Sequence, residues 1–168
     1  FKISDIIKNR RIVYYEYDIR DDDRPDIMAE KYYGDSRLDW LFFIVNQIYD
    51  PYYQWPLNQQ QMDAYLRSKY GSPSVAMGTV HHYEQIVSPR KEYFSNFDNS
   101  VIMIPEQVVI VDQTTYLSLA STEKREVSVF DHEEDLNNKK RRIKILNEAF
   151  VPEFLRSVRT VFNAWLIG

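Results

Sequence analysis

"KYYGDSRLDWLFFIVNQIYDPYYQW", Lys31 to Trp55, carries nine of the chain's 25 aromatic residues in 25 positions. Ser36 and Asp39 have the S-x-x-D spacing of a capping box, which predicts a helix over Arg37 to Gln47. On that helix Leu38, Leu41, Phe42 and Val45 fall at i, i+3, i+4 and i+7, while Trp40, Phe43 and Ile44 cover much of the other side. A helix apolar nearly all round is buried on two sides. The second half, "YDPYYQWPL", holds Pro51 and Pro56, which predict an extended segment studded with Tyr49, Tyr52, Tyr53 and Trp55. So short a segment cannot internalise four large, polar-tipped rings without a neighbour. The residues alone leave two readings open for these four, core or a surface awaiting a partner.

Working outward, "RIVYYEYDI", Arg11 to Ile19, alternates like a strand with Val13, Tyr15, Tyr17 and Ile19 on one face. In the following "RDDDRPD", Asp23 is placed to cap a helix and Pro25 to occupy its first turn, so a helix is expected from about Pro25 to Tyr33, stopping at Gly34. Asn58 caps a third helix with Met62, Tyr65, Leu66 and Tyr70 inward, closed by "GSP", Gly71 to Pro73. Beyond Pro73 the pattern changes to short extended pieces at Val80 to Val87, Val101 to Ile104, Val108 to Val111 and Tyr116 to Leu119. A small antiparallel sheet or long hairpins fit this spacing. "FDHEEDLNNKKRR" then starts acidic and ends basic, matching a helix dipole at both ends. "RIKIL", Arg142 to Leu146, alternates like a strand, and Pro152 opens a last helix with Phe154, Leu155, Val158, Phe162 and Trp165 aligned.

A chain of 168 residues is one domain, or a small domain with an extension, and buries roughly 70% of its unfolded surface. With no cysteine, neither disulfides nor thiolate metal sites can hold it. The longest apolar run, Leu41 to Val45, is far short of the ~20 residues of a membrane span, so no membrane partner is expected. A net charge of -4 argues against a general nucleic-acid binder.

Few residues invite chemistry. His81 and His82 are adjacent, and neighbours in a regular strand point to opposite faces, so no shared metal is expected. His132 sits among acids at a helix start, where a surface role is expected. Asp21, Asp22 and Asp23 lack the alternation, glycine and final glutamate of a calcium loop. Glu30, Asp35, Asp39 and Asp50 lie among aromatics, and two carboxylates beside a sugar could serve a glycosidase, yet no serine or histidine constellation joins them. "KKRR", Lys139 to Arg142, is explained by its place at a helix C-terminus. The four glycines are not clustered, so there is no phosphate loop. The reading is therefore non-enzymatic, with no cofactor and no metal.

The order of a strand, "RPDIMAEKYYGDSRLDWLFFIVNQI" and an extended segment is similar to a LysM module, a strand-helix-helix-strand unit with a Y-G-D helix end. Tyr33, Gly34, Asp35, Leu38, Trp40, Leu41 and Asn46 carry that likeness. The extension "YDPYYQW", followed by the polar helix "NQQQMDAYLRSKYGS", resembles the LysM-like baseplate wedge protein family of contractile-tailed bacteriophages, called gene product fifty-three. The segment "NNKKRRIKIL...VPEFLRSVRTVF" resembles that family's closing segment. The resemblance implies an α+β fold: a LysM-like βααβ unit over residues 11–57, a helix over 58–73, a strand-rich arm over 74–130 and a C-terminal helix-strand-helix segment over 131–168.

It also implies a structural subunit of a virion tail baseplate, assembled in the host cytoplasm, several copies of which join neighbouring wedges into a ring around the hub. The implied partners are the other wedge subunits, with the sheath-initiating protein and the hub or tube proteins further out. On this reading Tyr49, Tyr52, Tyr53 and Trp55 bind a partner, while Tyr33, Leu38, Trp40, Leu41 and Val45 form the LysM-like core. The rival function is a glycan-binding LysM module for peptidoglycan or chitin-like polymers. The acidic, bulky loop "RDDDRPD" and the rigid aromatic segment after the second helix weigh against it.

Overall fold

The computed structural model describes residues 13–95 and 100–167, the side chains of 161, 162 and 164–167 excepted. The described residues mix helix and strand and fall into two compact units, one drawn from residues up to Gln61 and from Leu136 onward, the other Met62–Asp135.

In the first unit, β1 (Tyr14–Asp18) leads to α1 (Pro25–Tyr33), then through a 3-10 turn (Ser36–Leu38) to α2 (Trp40–Val45) and the single turn α3 (Pro51–Gln54). Helix α1 has the expected bounds, with proline in its first turn and Gly34 closing it at φ +69°, where glycine avoids the Cβ clash. Asp23 does not cap it. Its carboxylate instead accepts from the Tyr17 hydroxyl at 2.7 Å and the Arg20 amide at 2.8 Å, and Arg24 stands at the cap with no side-chain bond. The expected capping box is also replaced: Asp35 caps the 3-10 turn and Asp39 caps the shorter α2, because each aspartate reaches an adjacent amide that Ser36 does not.

The 48–57 segment is not extended. Pro51 sits in the first turn of α3, where its missing N–H costs nothing, and the Asp50 carboxylate accepts from the Tyr52 amide. A contiguous βααβ unit is thus not formed, and the strand beside β1 is β7 (Arg142–Leu146), antiparallel, with Tyr14 opposite Leu146 and Asp18 opposite Arg142. Val13, Ile19, Ile143, Ile145 and Leu146 are buried, but Tyr15, expected on the inner face, is exposed and its hydroxyl accepts from Asn147. A two-stranded ribbon twists strongly, so its middle and its ends do not present one common face.

Two adjoining clusters form this core. Val13, Leu41, Leu146, Val151 and Phe154 make one, Ile19, Met28, Ala29, Phe42, Ile143 and Ile145 the other. The long α8 (Val151–Ile167) contributes Phe154, Leu155 and Val158 as expected; the Phe162 and Trp165 side chains lie outside the described residues, as do Arg11 and Ile12 of the expected first strand.

The second unit begins within α4 (Gln59–Tyr70), where Asn58 and Gln61 exchange reciprocal capping bonds of 2.9 and 3.0 Å. Met62 and Leu66 are buried, and Tyr65 and Tyr70 half-buried. Then follow α5 (Pro73–Gly78), capped by Ser72, β2 (Val80–Ser88), β3 (Lys91–Phe94), β4 (Val101–Ile104), β5 (Gln107–Val111), α6 (Gln113–Ser118), β6 (Lys124–Ser128) and α7 (Val129–Lys139). Strands β5, β2 and β6 form an antiparallel sheet in that order, and β3 and β4 a separate hairpin. The expected strand at Tyr116 to Leu119 is mostly helix, because Asp112 caps α6 through the Thr115 amide at 2.7 Å and starts the helix ahead of that stretch.

Candidate functional site

The aromatic segment divides in the structure. Tyr49, Tyr52 and Tyr53 are 86%, 79% and 70% exposed, and the last two rings meet edge to face at 5.0 Å. Asp50 caps the turn beneath them, while the Gln54 side chain accepts from the amides of Tyr49 and Asp50 at 2.7 and 2.9 Å. The Lys140 ammonium donates to the Tyr53 carbonyl at 2.9 Å. Four hydrogen bonds thereby hold the backbone of a short turn whose tyrosine rings stand exposed. Trp55 is different: half-buried, it packs against the second core cluster and meets Phe43 edge to face at 5.8 Å.

Of Tyr33, Leu38, Trp40, Leu41 and Val45, only Leu41 is buried in the first cluster, and the other four pack against it half-buried. Leu41 is fully buried, Tyr33 stacks on Phe42 at 5.4 Å, and Trp40 leans on Phe154 at 6.4 Å. Burial pushes the Tyr33 phenol well above its usual range.

The carboxylates once open to a glycosidase reading are occupied by backbone amides. Glu30 accepts from Ser36, Asp35 from Arg37, Asp39 from Trp40 and Asp50 from Tyr52, all within 3.0 Å. Asp21 pairs with Arg141 at 2.6 Å. Within "KKRR", Arg141 also donates to the Ile19 carbonyl and the Asn138 side chain, and Arg142 pairs with Glu16. These charges are structural.

In the second unit strands β3 and β4, which pair as a hairpin, are exposed at every strand position. Residues opposite one another share a face, so Tyr93, Ile102 and Ile104 line one side and Phe94, Val101 and Met103 the other. Phe94 is 74% exposed and Ile102 55%. A two-stranded ribbon apolar on both faces is marginal in water and is completed by whatever covers it. "VIMI" signals this hairpin in the sequence, whereas Lys91 to Phe94 lies outside the expected extended pieces.

Elsewhere in the same unit Glu133, nearly buried, accepts from the Lys69 ammonium at 2.7 Å and from the hydroxyls of Tyr70 and Tyr65 at 2.6 and 3.1 Å. Burial opposes its charge, but Lys69 and Tyr70 hold the carboxyl below its usual range.

The histidines overturn their geometric expectation. The β2–β6 register shifts between Val80 and His82, so His81 is the extra residue of a bulge and strict alternation fails there. Nδ1 of His81 and Nδ1 of His82 stand 2.8 Å apart, and His132 stacks on His81 at 3.8 Å. Burial, with the neighbouring His132 and His82, pushes His81 below its ordinary pKa.

Among known proteins, the chain matches the family described as Base plate wedge protein 53 over residues 3–160. It is also similar to the baseplate wedge protein gp53 of Enterobacteria phage T4, with 26% identity over 147 residues, covering 84% of this chain and 70% of the relative.

Proposed function

From the premise that the chain belongs to the Base plate wedge protein 53 family, and is thus a structural protein of a phage tail baseplate, we propose that it joins neighbouring wedges through protein contacts. Several copies act in a ring around the hub. Its partners are other wedge subunits, with the sheath-initiating protein and the hub or tube proteins as further neighbours, and assembly takes place in the host cytoplasm.

The observation that carries this reading is the β3–β4 hairpin, whose apolar side chains on both faces are exposed. Burying apolar surface is worth about 25 cal/mol per Å², so six such side chains are a strong drive to associate. Tyr49, Tyr52 and Tyr53, backed by Trp55, supply a second contact surface of the residue types that dominate binding energy at interfaces.

The LysM-like part of the proposal is that β1, α1, α2 and β7 act as one βααβ unit whose closing strand comes from late in the chain, with Tyr33, Leu38, Trp40, Leu41 and Val45 as its core.

Reconstitution of wedges from purified subunits tests the assignment, using Phe94→Ser with Ile102→Ser in one variant and Tyr52→Ser with Tyr53→Ser in another. Both variants should keep the wild-type circular dichroism and lose association. Full association by both would overturn the proposal, and saturable binding of chito-oligosaccharide by the free chain would favour the glycan-binding alternative.

A further inference from the structure

The chain has three histidines, and the fold brings all three together in the second unit. One donor atom from each of His81, His82 and His132 lies within 4.8 Å of the others. Two devices produce this. The bulge in β2 turns neighbouring side chains toward one another, and the start of α7 is tied back to β2 by the Val129 amide, which donates to the Thr79 carbonyl at 2.8 Å. Ser128 and Asp131 lock that helix start: the Asp131 amide donates to the Ser128 hydroxyl, which donates to the Asp131 carboxylate at 2.7 Å. His132 is the next residue.

We propose that His81, His82 and His132 form a binding site for a divalent first-row transition ion, zinc being the one its ligands best suit. Neutral imidazoles are the preferred donors for such ions, and three protein ligands with a water complete a tetrahedron. Nε2 of His82 faces the Glu84 carboxylate at 3.3 Å, and Arg125 clasps that carboxylate at 2.6 Å. With Nε2–H donated to Glu84, the lone pair of His82 is on Nδ1, the atom facing His81. A carboxylate behind a ligating histidine is the common second layer of zinc sites, where it fixes the ring and its tautomer.

Binding requires small adjustments. Two nitrogens on one tetrahedral zinc stand about 3.3 Å apart, given bonds of about 2.0–2.1 Å, so the 2.8 Å pair opens by about half an ångström. His81 carries its proton on Nε2 instead of sharing it with His82, and His132 tilts from its stack on His81. His81 is exposed and the other two half-buried, which leaves room for both movements and for the fourth ligand. The nearby Lys69 is neutralised by Glu133. An ion here would fasten the start of β2 to the start of α7.

The test uses the full chain, free of any polyhistidine tag and stripped with chelator, titrated with zinc by calorimetry and with cobalt by visible absorption. One equivalent should bind saturably, cobalt should give the intense bands of a tetrahedral site that zinc then displaces, and the melting temperature should rise. His82→Ala and His132→Ala should each weaken zinc binding at least about tenfold, and Glu84→Gln by about tenfold to a hundredfold. Circular dichroism checks that each variant is folded. Non-saturable zinc binding by the wild type would overturn the site whatever the variants do, as would an unaltered affinity in folded His132→Ala.

Discussion

The side-chain amide of Asn46 pairs with the backbone of Lys144, 98 residues away: Oδ1 accepts from the Lys144 amide at 2.8 Å and Nδ2 donates to its carbonyl at 2.8 Å. Lys144 lies opposite Glu16 in a non-hydrogen-bonded pair, so both groups point away from β1. Asn46 thus acts as one residue of an absent third strand and holds the end of α2 against β7. Asn46→Ala leaves these groups to water and should cost about 1–3 kcal/mol, read from urea unfolding. Asn46→Asp, which keeps only the acceptors, should recover little of the loss.

Glu133 gathers one ammonium and two phenol hydroxyls in a nearly buried position. Glu133→Ala removes the acceptor shared by three donors, and a loss of about 2–3 kcal/mol is expected in chemical denaturation. Tyr65→Phe, which removes both the bond to Glu133 and the one its hydroxyl accepts from Lys69 at 2.8 Å, should cost at least as much as Tyr70→Phe.

The exposed tyrosines and the neighbouring tryptophan separate by stability. Trp55→Ala should cost about 2–3 kcal/mol, below the 3–5 of a fully buried ring, because it empties the space beside Phe43. Tyr52→Ala and Tyr53→Ala should each change stability by less than about 1 kcal/mol. Equal destabilisation by all three in denaturant midpoints would contradict this division.

The Tyr17 phenol is pushed up to about 12, first by its hydrogen bond to Asp23 and then by burial. Its ordinary value is 10.0, so the neutral form is favoured by folding. The stabilisation is complete below about pH 10 and is lost as pH rises toward 12. A phenolate absorbance titration of wild type minus Tyr17→Phe should show one tyrosine ionising late. Asp23→Asn should bring that ionisation earlier and shrink the loss of stability in the same window.

Much of the local structure is legible in short patterns. Pro25 and Gly34 frame α1, Asn58 caps α4, and "RIKIL" spans β7 from Arg142 to Leu146. Each of these depends on residues a few positions apart, where propensity and capping suffice. Two of the differences share one cause. Pro51 was read as a helix breaker though it opens a turn, and Tyr116 was read as strand though Asp112 had already begun a helix. In both cases an upstream aspartate satisfied free amides and outweighed the residue that followed. The candidate site was legible as a set of residue types, but its division was not: nothing in "YDPYYQW" distinguishes Trp55 from its neighbours until Phe43 stands beside it.

The sequence by itself determined α1, the cap of α4, β7 and the likeness to a phage baseplate family, because these reside in local spacing and composition. Only the tertiary structure decided that β1 pairs with residues 142–146, that the amide of Asn46 finishes that sheet, and that three histidines from two distant segments converge. The reason is physical. Strand partners and side-chain clusters are chosen by burial and hydrogen-bond closure across the whole unit, and a one-residue bulge is enough to turn His81 and His82, opposed in a regular strand, toward each other.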